Sequence, residues 1–187
     1  MDTRVKAVTF NSEEHKYWYK GKELKGVTRA IGKMLGKSFP DTDTVRLATL
    51  YGHDVHSESE AWIKTGKNPS TEAGKWVVKI LKDFAQEHDI IKYEAELLVS
   101  DFVNTASCID IVAHTREGCY LFDIKTTSVF DREYCSLQLS TYKKLFEDCF
   151  EEDVLGMYVI GTKSQRLFKI LDKGTQKVNK ILEMNKR

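Results

Sequence analysis

Three residues at the centre of the chain have types and spacing suited to chemistry. In Cys119-Tyr-Leu-Phe-Asp-Ile-Lys125 the two-residue period of a strand puts Asp123 and Lys125 on one face. Asp110 lies in the preceding apolar stretch, Cys108-Ile-Asp-Ile-Val112, and antiparallel pairing of the two stretches would bring it close. Two carboxylates and a lysine inside otherwise apolar strands are expensive to bury without compensation. A divalent cation is the natural compensation. Hard ions such as Mg²⁺ take oxygen ligands and keep waters, one of which can act as a nucleophile. Lys125 would orient that water or stabilise charge growing on a phosphate. An edge strand carrying an Asp123–Lys125 salt bridge accounts for these three residues equally well.

The surrounding elements must position this group. Upstream, Lys92-Tyr-Glu-Ala-Glu-Leu-Leu-Val99 reads as a strand with Glu94 and Glu96 on one face and Tyr93, Ala95 and Leu97 on the other. Ser107–His114 and Cys119–Lys125 have strand composition and are joined by a hairpin turn at Thr115-Arg-Glu-Gly118. Asp131–Cys149 returns to helical spacing, with Tyr134, Gln138, Tyr142, Leu145 and Cys149 along one side. Gln138 and Tyr142 are four apart and therefore share a face. Val154–Ile160 and Arg166–Leu171 read as strands, and Gly174–Met184 as a final amphipathic helix. Towards the N-terminus, Val5–Phe10 and Tyr17–Tyr19 read as short strands around a polar turn, and Val27–Leu35 as a short helix ending at Gly36. Asp41-Thr-Asp-Thr44 supplies N-cap candidates for a helix reaching about Thr65. Its packing stripe is Val45, Ala48, Gly52, Val55, Ser59 and Trp62. Ser70 and Thr71 open the next helix, whose apolar face is Trp76, Val77, Ile80, Leu81, Phe84 and Ala85. Helices before and after a central mixed sheet predict an α/β domain.

Composition sets the bounds. The 187 residues suit one domain, 1–187, and the 41% hydrophobic and 30% charged content is that of a globular chain. No apolar run reaches the length of a membrane helix, and Met1–Phe10 lacks a signal-peptide core, so a cytoplasmic protein is expected. Cys108, Cys119, Cys135 and Cys149 include no C-x-x-C pair, which fits neither a zinc site nor a disulfide framework. The net charge is only +1, but Lys163–Arg187 is locally basic and Glu147–Asp153 locally acidic. That basic segment reads either as a contact for a polyanion or as a solvated helix face.

With these residues in place, the chain resembles the PD-(D/E)XK nucleases. A carboxylate strand, then Asp110, then D-x-K at Asp123–Lys125, then a helix with Q-x-x-x-Y at Gln138–Tyr142 is the order of that superfamily. It looks like the branch holding RecB-type nuclease domains, phage recombination exonucleases and CRISPR-adaptation nucleases. Gly52-His-Asp-Val-His56 is similar to the G-x-x-x-H of this branch, although a packing histidine is the plainer reading of His56 alone. His53 has no matching position and is expected to be a surface residue. Glu14-His-Lys-Tyr-Trp-Tyr19 and Gly26-Val-Thr28 resemble the lead-in strand and S-V-T helix start of small phage-type members, with Gly26 in place of Ser. The resemblance spans about Phe10–Ile160. It implies a restriction-endonuclease-like core with Mg²⁺ or Mn²⁺ held by His56, Glu96, Asp110, Asp123 and, through its main chain, Ile124. Lys125, Asp123, Asp110 and Glu96 would be catalytic, and Gln138 and Tyr142 would hold the phosphate backbone or buttress the site. Glu96 is preferred to Glu94 because it directly precedes Leu97-Leu-Val99. With no Cys before 108 or after 149, no iron–sulfur cluster is expected. The implied activity is metal-dependent DNA cleavage, from DNA ends, in recombination, repair or phage DNA processing. The implied partners are single- or double-stranded DNA and a recombination protein, in a bacterial or phage-infected cell. A structure-specific endonuclease and a non-catalytic nuclease-fold binding module remain open alternatives.

Overall fold

Alternating β-branched and aromatic residues at the centre of the chain pair into one mixed sheet with helices on both faces. A computed structural model describes residues 3–11, 14–37 and 43–186, without the side chains of 43–50. The strands are β1 (Val8–Asn11), β2 (Lys16–Tyr19), β3 (Lys22–Gly26), β4 (Lys92–Ser100), β5 (Thr105–His114), β6 (Cys119–Lys125), β7 (Val154–Gly161) and β8 (Arg166–Ile170). The helices are α1 (Val27–Met34), α2 (Asp43–Thr65), α3 (Glu72–Glu87), α4 (Arg132–Phe150) and α5 (Thr175–Met184). β1, β2 and β3 form an antiparallel meander, and β3 runs parallel to β5. β5 is antiparallel to β4 and β6, β6 is parallel to β7, and β8 closes the far edge antiparallel to β7. The architecture is therefore α/β, a mixed sheet flanked by helices. No described helix is long and apolar enough to cross a membrane.

Two apolar layers enclose the sheet. On one face Leu121, Val159, Leu139, Leu145 and Phe146 pack with residues of α1 and α5. On the other Phe122, Ile124, Val55, Val77, Leu81 and Phe84 join the sheet to α2 and α3. Opposite faces of β6 thus serve opposite layers, as a strand buried on both sides requires. Helix α4 starts where Asp131 accepts a hydrogen bond from the Tyr134 N–H (2.9 Å), and α3 where Thr71 accepts one from the Gly74 N–H (3.0 Å).

Helix α2 is fastened to the start of α3 through Glu58. Its carboxylate accepts from the backbone N–H groups of Ser70 (2.9 Å) and Thr71 (3.1 Å) and from the Ser70 and Thr71 hydroxyls. Burial pushes the Glu58 carboxyl up, but these donors outweigh it and hold it at about 2, below the ordinary 4.5. A depressed folded value means that the stabilisation is fully present above pH 4.5 and is lost as the pH falls towards 2. Glu58→Gln is expected to lower the melting temperature by several degrees at neutral pH, for a loss of about 1–2 kcal/mol. In melts at decreasing pH its gap to wild type should narrow below 4.5. A gap independent of pH would mean that the charge plays no part.

Three expectations need correction. Thr3–Ala7 is a 3-10 helix, so the first strand begins at Val8 rather than Val5; the turn lets Val5 enter the core. β3 was not expected, because Leu24 is its only large apolar residue. Its signal was Lys20-Gly21, whose φ values of 49° and 79° form the two-residue hairpin turn that pairs Tyr19 with Lys22. The third concerns Glu94 and Glu96, which do not share a face; the cause lies in the site itself. Of the α2 N-cap candidates, Asp43 and Thr44 are already helical, while Asp41 and Thr42 lie outside the described residues, as do the side chains of Val45 and Ala48.

Candidate metal centre

The site forms where the sheet forks. On one edge of β5, Thr105–Ala106 pair with β3 and Ile111–His114 pair with β6, so Ser107–Asp110 between them pair with neither strand. Asp110 fills part of the gap with its side chain: Oδ2 accepts the Ile124 N–H at 2.7 Å. Across β5, the β4 register places Glu96 opposite Asp110, between the pairs Ala95–Ile111 and Leu97–Ile109. Glu96 has φ +53°, a left-handed conformation unusual for a glutamate in a strand. That kink reverses the alternation: Tyr93 packs towards α2 and α3, whereas Leu97 and Val99 pack towards α4. Glu94 consequently meets Lys92 (2.6 Å) and His114 Nε2 (3.3 Å), while Glu96 meets Cys108 (3.2 Å) and His56 (3.7 Å). A period of two could not foresee a single residue outside β geometry.

Helix α2 supplies His56 from above. Its Nδ1 lies 3.7 Å from Glu96 Oε1 and 3.6 Å from Asp110 Oδ1. His56, Glu96 and Asp110 each offer a ligand atom within 4.8 Å of the other two. One turn earlier, Gly52 leaves room for Thr126 just past β6; a Cβ there would sit 3.4 Å from its Oγ1. Burial alone would lower the His56 imidazole, but the Asp110, Glu96 and Asp123 carboxylates raise it to about 9. Burial raises the Asp110 carboxyl to about 6, with Asp123 and Glu96 adding to the rise while His56 and Lys125 oppose it.

Asp123 and Lys125 complete the centre from β6. The Asp123 side chain is 2% exposed, and Lys125 Nζ lies 2.9 Å from its Oδ1 and 2.8 Å from its Oδ2. Only the contact to Oδ1 has the geometry of a hydrogen bond, so Oδ2 is buried with no donor directed at it. Burial would lower the Lys125 ammonium, but Asp123 outweighs it and raises the group, which stays protonated. A divalent cation fits His56, Glu96 and Asp110, whose carboxylate oxygens and imidazole converge; Asp123 is not one of those three, and its Oδ2 lies buried without a hydrogen-bond partner.

No protein-family model matches the chain, and no curated protein matches it significantly.

The remaining expected residues fall around the same cleft, a cavity of about 600 Å³. Gln138 and Tyr142 line it from α4, 5% and 3% exposed. Gln138 Nε2 donates to the Tyr142 hydroxyl (2.8 Å), its Oε1 is 3.5 Å from Lys125 Nζ, and the Ser107 hydroxyl donates to Tyr142 (3.1 Å). These contacts tie the pair to Lys125 and to β5. Ile124 lines the cleft too, its N–H committed to Asp110. His53, expected at the surface, is exposed but borders the cleft mouth. Sequence reasoning missed Phe10, His15, Tyr17 and Ser107 as cleft residues, and all four line it. Among the described residues the basic terminal segment contributes no lining residue, and its Lys173 and Lys177 pair with Glu133.

Proposed function

We propose that the chain is a metal-dependent DNA nuclease of the PD-(D/E)XK type that hydrolyses phosphodiester bonds of a single strand drawn into the cleft, starting from a DNA end. The observation that supports this best is the convergence of His56, Glu96 and Asp110, from three separate elements, on one point beside the Asp123–Lys125 pair. His56, Glu96, Asp110 and Asp123 would hold Mg²⁺ or Mn²⁺. When bound, such an ion supplies Lewis-acid polarisation of the phosphate and activation of water. Lys125, held protonated by Asp123 and buttressed by Gln138, presents positive charge to the phosphate oxygens as negative charge builds there. Asp110 fixes β6 through the Ile124 N–H, so that Asp123 and Lys125 keep their places relative to the cluster. His56 and the carboxylates must exchange a proton for the cation, which ties metal entry to assembly of the site.

End dependence follows from size and charge. A cleft of about 600 Å³ in a chain of net charge +1 makes few phosphate contacts, so an already frayed strand should enter best. The DNA would be that of a bacterial or phage-infected cell, met in the cytoplasm during recombination or repair. The test is a time course on one DNA circle, closed or linearised, in single- and double-stranded forms, with Mg²⁺ or Mn²⁺. Degradation of linear forms while closed circles persist is expected. Equal cutting of closed circles would make the enzyme an endonuclease, and no cleavage with either metal would remove the nuclease reading.

A further inference from the structure

Part of the cleft lining is aromatic. The Phe10 and Tyr17 rings of β1 and β2 stack at 4.6 Å and 21°, and the His15 ring stands edge-on to Phe10 at 5.2 Å and 87°. Tyr17 is 3% exposed, whereas Phe10 is half-buried and His15 exposed. Tyr17 forms the base of the stack, and Phe10 and His15 make a right-angled corner on it. The corner is fixed to the reaction centre. The Tyr17 phenol shares a hydrogen bond with Ser107, which donates to Tyr142, the residue bonded to Gln138 behind Lys125. Tyr17 also lies within the fields of Glu96 and Asp110, and His15 within that of Glu96.

We propose that the Phe10–His15 corner is a nucleobase subsite: it receives the base of a nucleotide adjoining the phosphodiester held at His56, Glu96 and Asp110. The inference rests on the nuclease reading and deepens it by naming what the substrate strand must offer beyond its phosphates. Any strand bound at the metal centre carries a flat ring on the neighbouring sugar, and an aromatic corner accepts such a ring by stacking on one side and edge contact on the other. Stacking accepts all four bases, so the subsite selects for an unpaired nucleotide and not for a sequence. A paired base, stacked within a duplex, would have to leave its neighbours first. Partial burial lowers the His15 imidazole, with His53 adding to the effect and Glu96 opposing it.

The test compares cleavage of a single-stranded oligonucleotide with that of the same strand made abasic at the nucleotides flanking one cleavage position, both with Mn²⁺. Wild-type protein and Phe10→Leu, which keeps an apolar side chain without the flat ring, are each measured on both strands. Loss of one base–aromatic stack is expected to raise KM about tenfold for wild type on the abasic strand. Phe10→Leu should show a similar rise on the normal strand and no further rise on the abasic one. Wild-type KM values that agree on the two strands would overturn the subsite while leaving the nuclease reading intact. So would a Phe10→Leu protein that still discriminates as wild type does. If wild type cuts neither strand with Mn²⁺ or Mg²⁺, the nuclease reading itself fails and the subsite with it. Because the abasic strand probes unmodified protein, a Phe10→Leu variant that folds poorly would leave the comparison decisive.

Discussion

Lys125→Met is expected to slow phosphodiester cleavage by about 10²-fold or more while the protein stays folded in Mn²⁺. The ammonium donates to Asp123 and lies 3.5 Å from Gln138 Oε1, and Asp123 raises its pKa, so in the proposed reaction its contribution would fall in the transition state, where charge builds on phosphate. Methionine preserves most of the stem volume, which separates the loss of charge from a cavity. The substitution also leaves Asp123, 2% exposed, without its ion pair. Stranding a buried carboxylate costs several kcal/mol. The variant should therefore melt well below wild type in chelator and recover much of the difference when Mn²⁺ is added. Single-turnover rates and thermal melts with and without metal check both halves. Near-normal turnover in a folded Lys125→Met protein would remove Lys125 from the reaction.

Asp110→Asn is expected to abolish metal-dependent stabilisation as well as cleavage. Asparagine retains an oxygen that can accept the Ile124 N–H, so the link between β5 and β6 survives while a ligand charge disappears. In wild type, a cation present at about a hundred times its dissociation constant adds roughly 2.7 kcal/mol of stability, or a melting shift of about 5–10 °C in a chain of this size. The variant should show little or none of that shift, together with a loss of activity of about 10²-fold or more. His56→Ala belongs in the same titration. An imidazole ligand favours Mn²⁺ over Mg²⁺, so its removal should weaken Mn²⁺ binding and erase any advantage of Mn²⁺ in wild type. Calorimetric titration of the three proteins decides the matter: unchanged affinity in Asp110→Asn would place the cation elsewhere, and unchanged affinity in His56→Ala would make that imidazole a packing residue.

Much of the framework was legible one element at a time. The D-x-K strand, the Thr115–Gly118 hairpin, the helix openings at Thr71 and Asp131 and the Gln138–Tyr142 spacing all depend on interactions within a few residues, so periodicity and helix-start rules reach them. The weakest readings came where local pattern was thin. β3 carries one large apolar residue and owes its place to the Lys20-Gly21 turn and to pairing with β5, some eighty residues away.

By itself the sequence determined which side chains are available for chemistry and which element carries each: Asp110 on β5, Asp123 and Lys125 on β6, Gln138 and Tyr142 on α4, His56 on a helix. These assignments follow from short-range preferences of the backbone and from the burial of alternate residues. Only the tertiary structure decided which of them meet. The left-handed turn at Glu96 separates it from Glu94 and aims it at His56, and the fork between β3 and β6 leaves Asp110 without a strand partner on that edge, its side chain bonded to the Ile124 N–H. The aromatic wall of Phe10, His15 and Tyr17 reaches the same cleft from the other end of the sheet. The fork arises from pairing of β5 with β3, a segment some eighty residues away, and the meeting of these features in one cleft depends on the packing of the whole sheet rather than on the preference of any single residue.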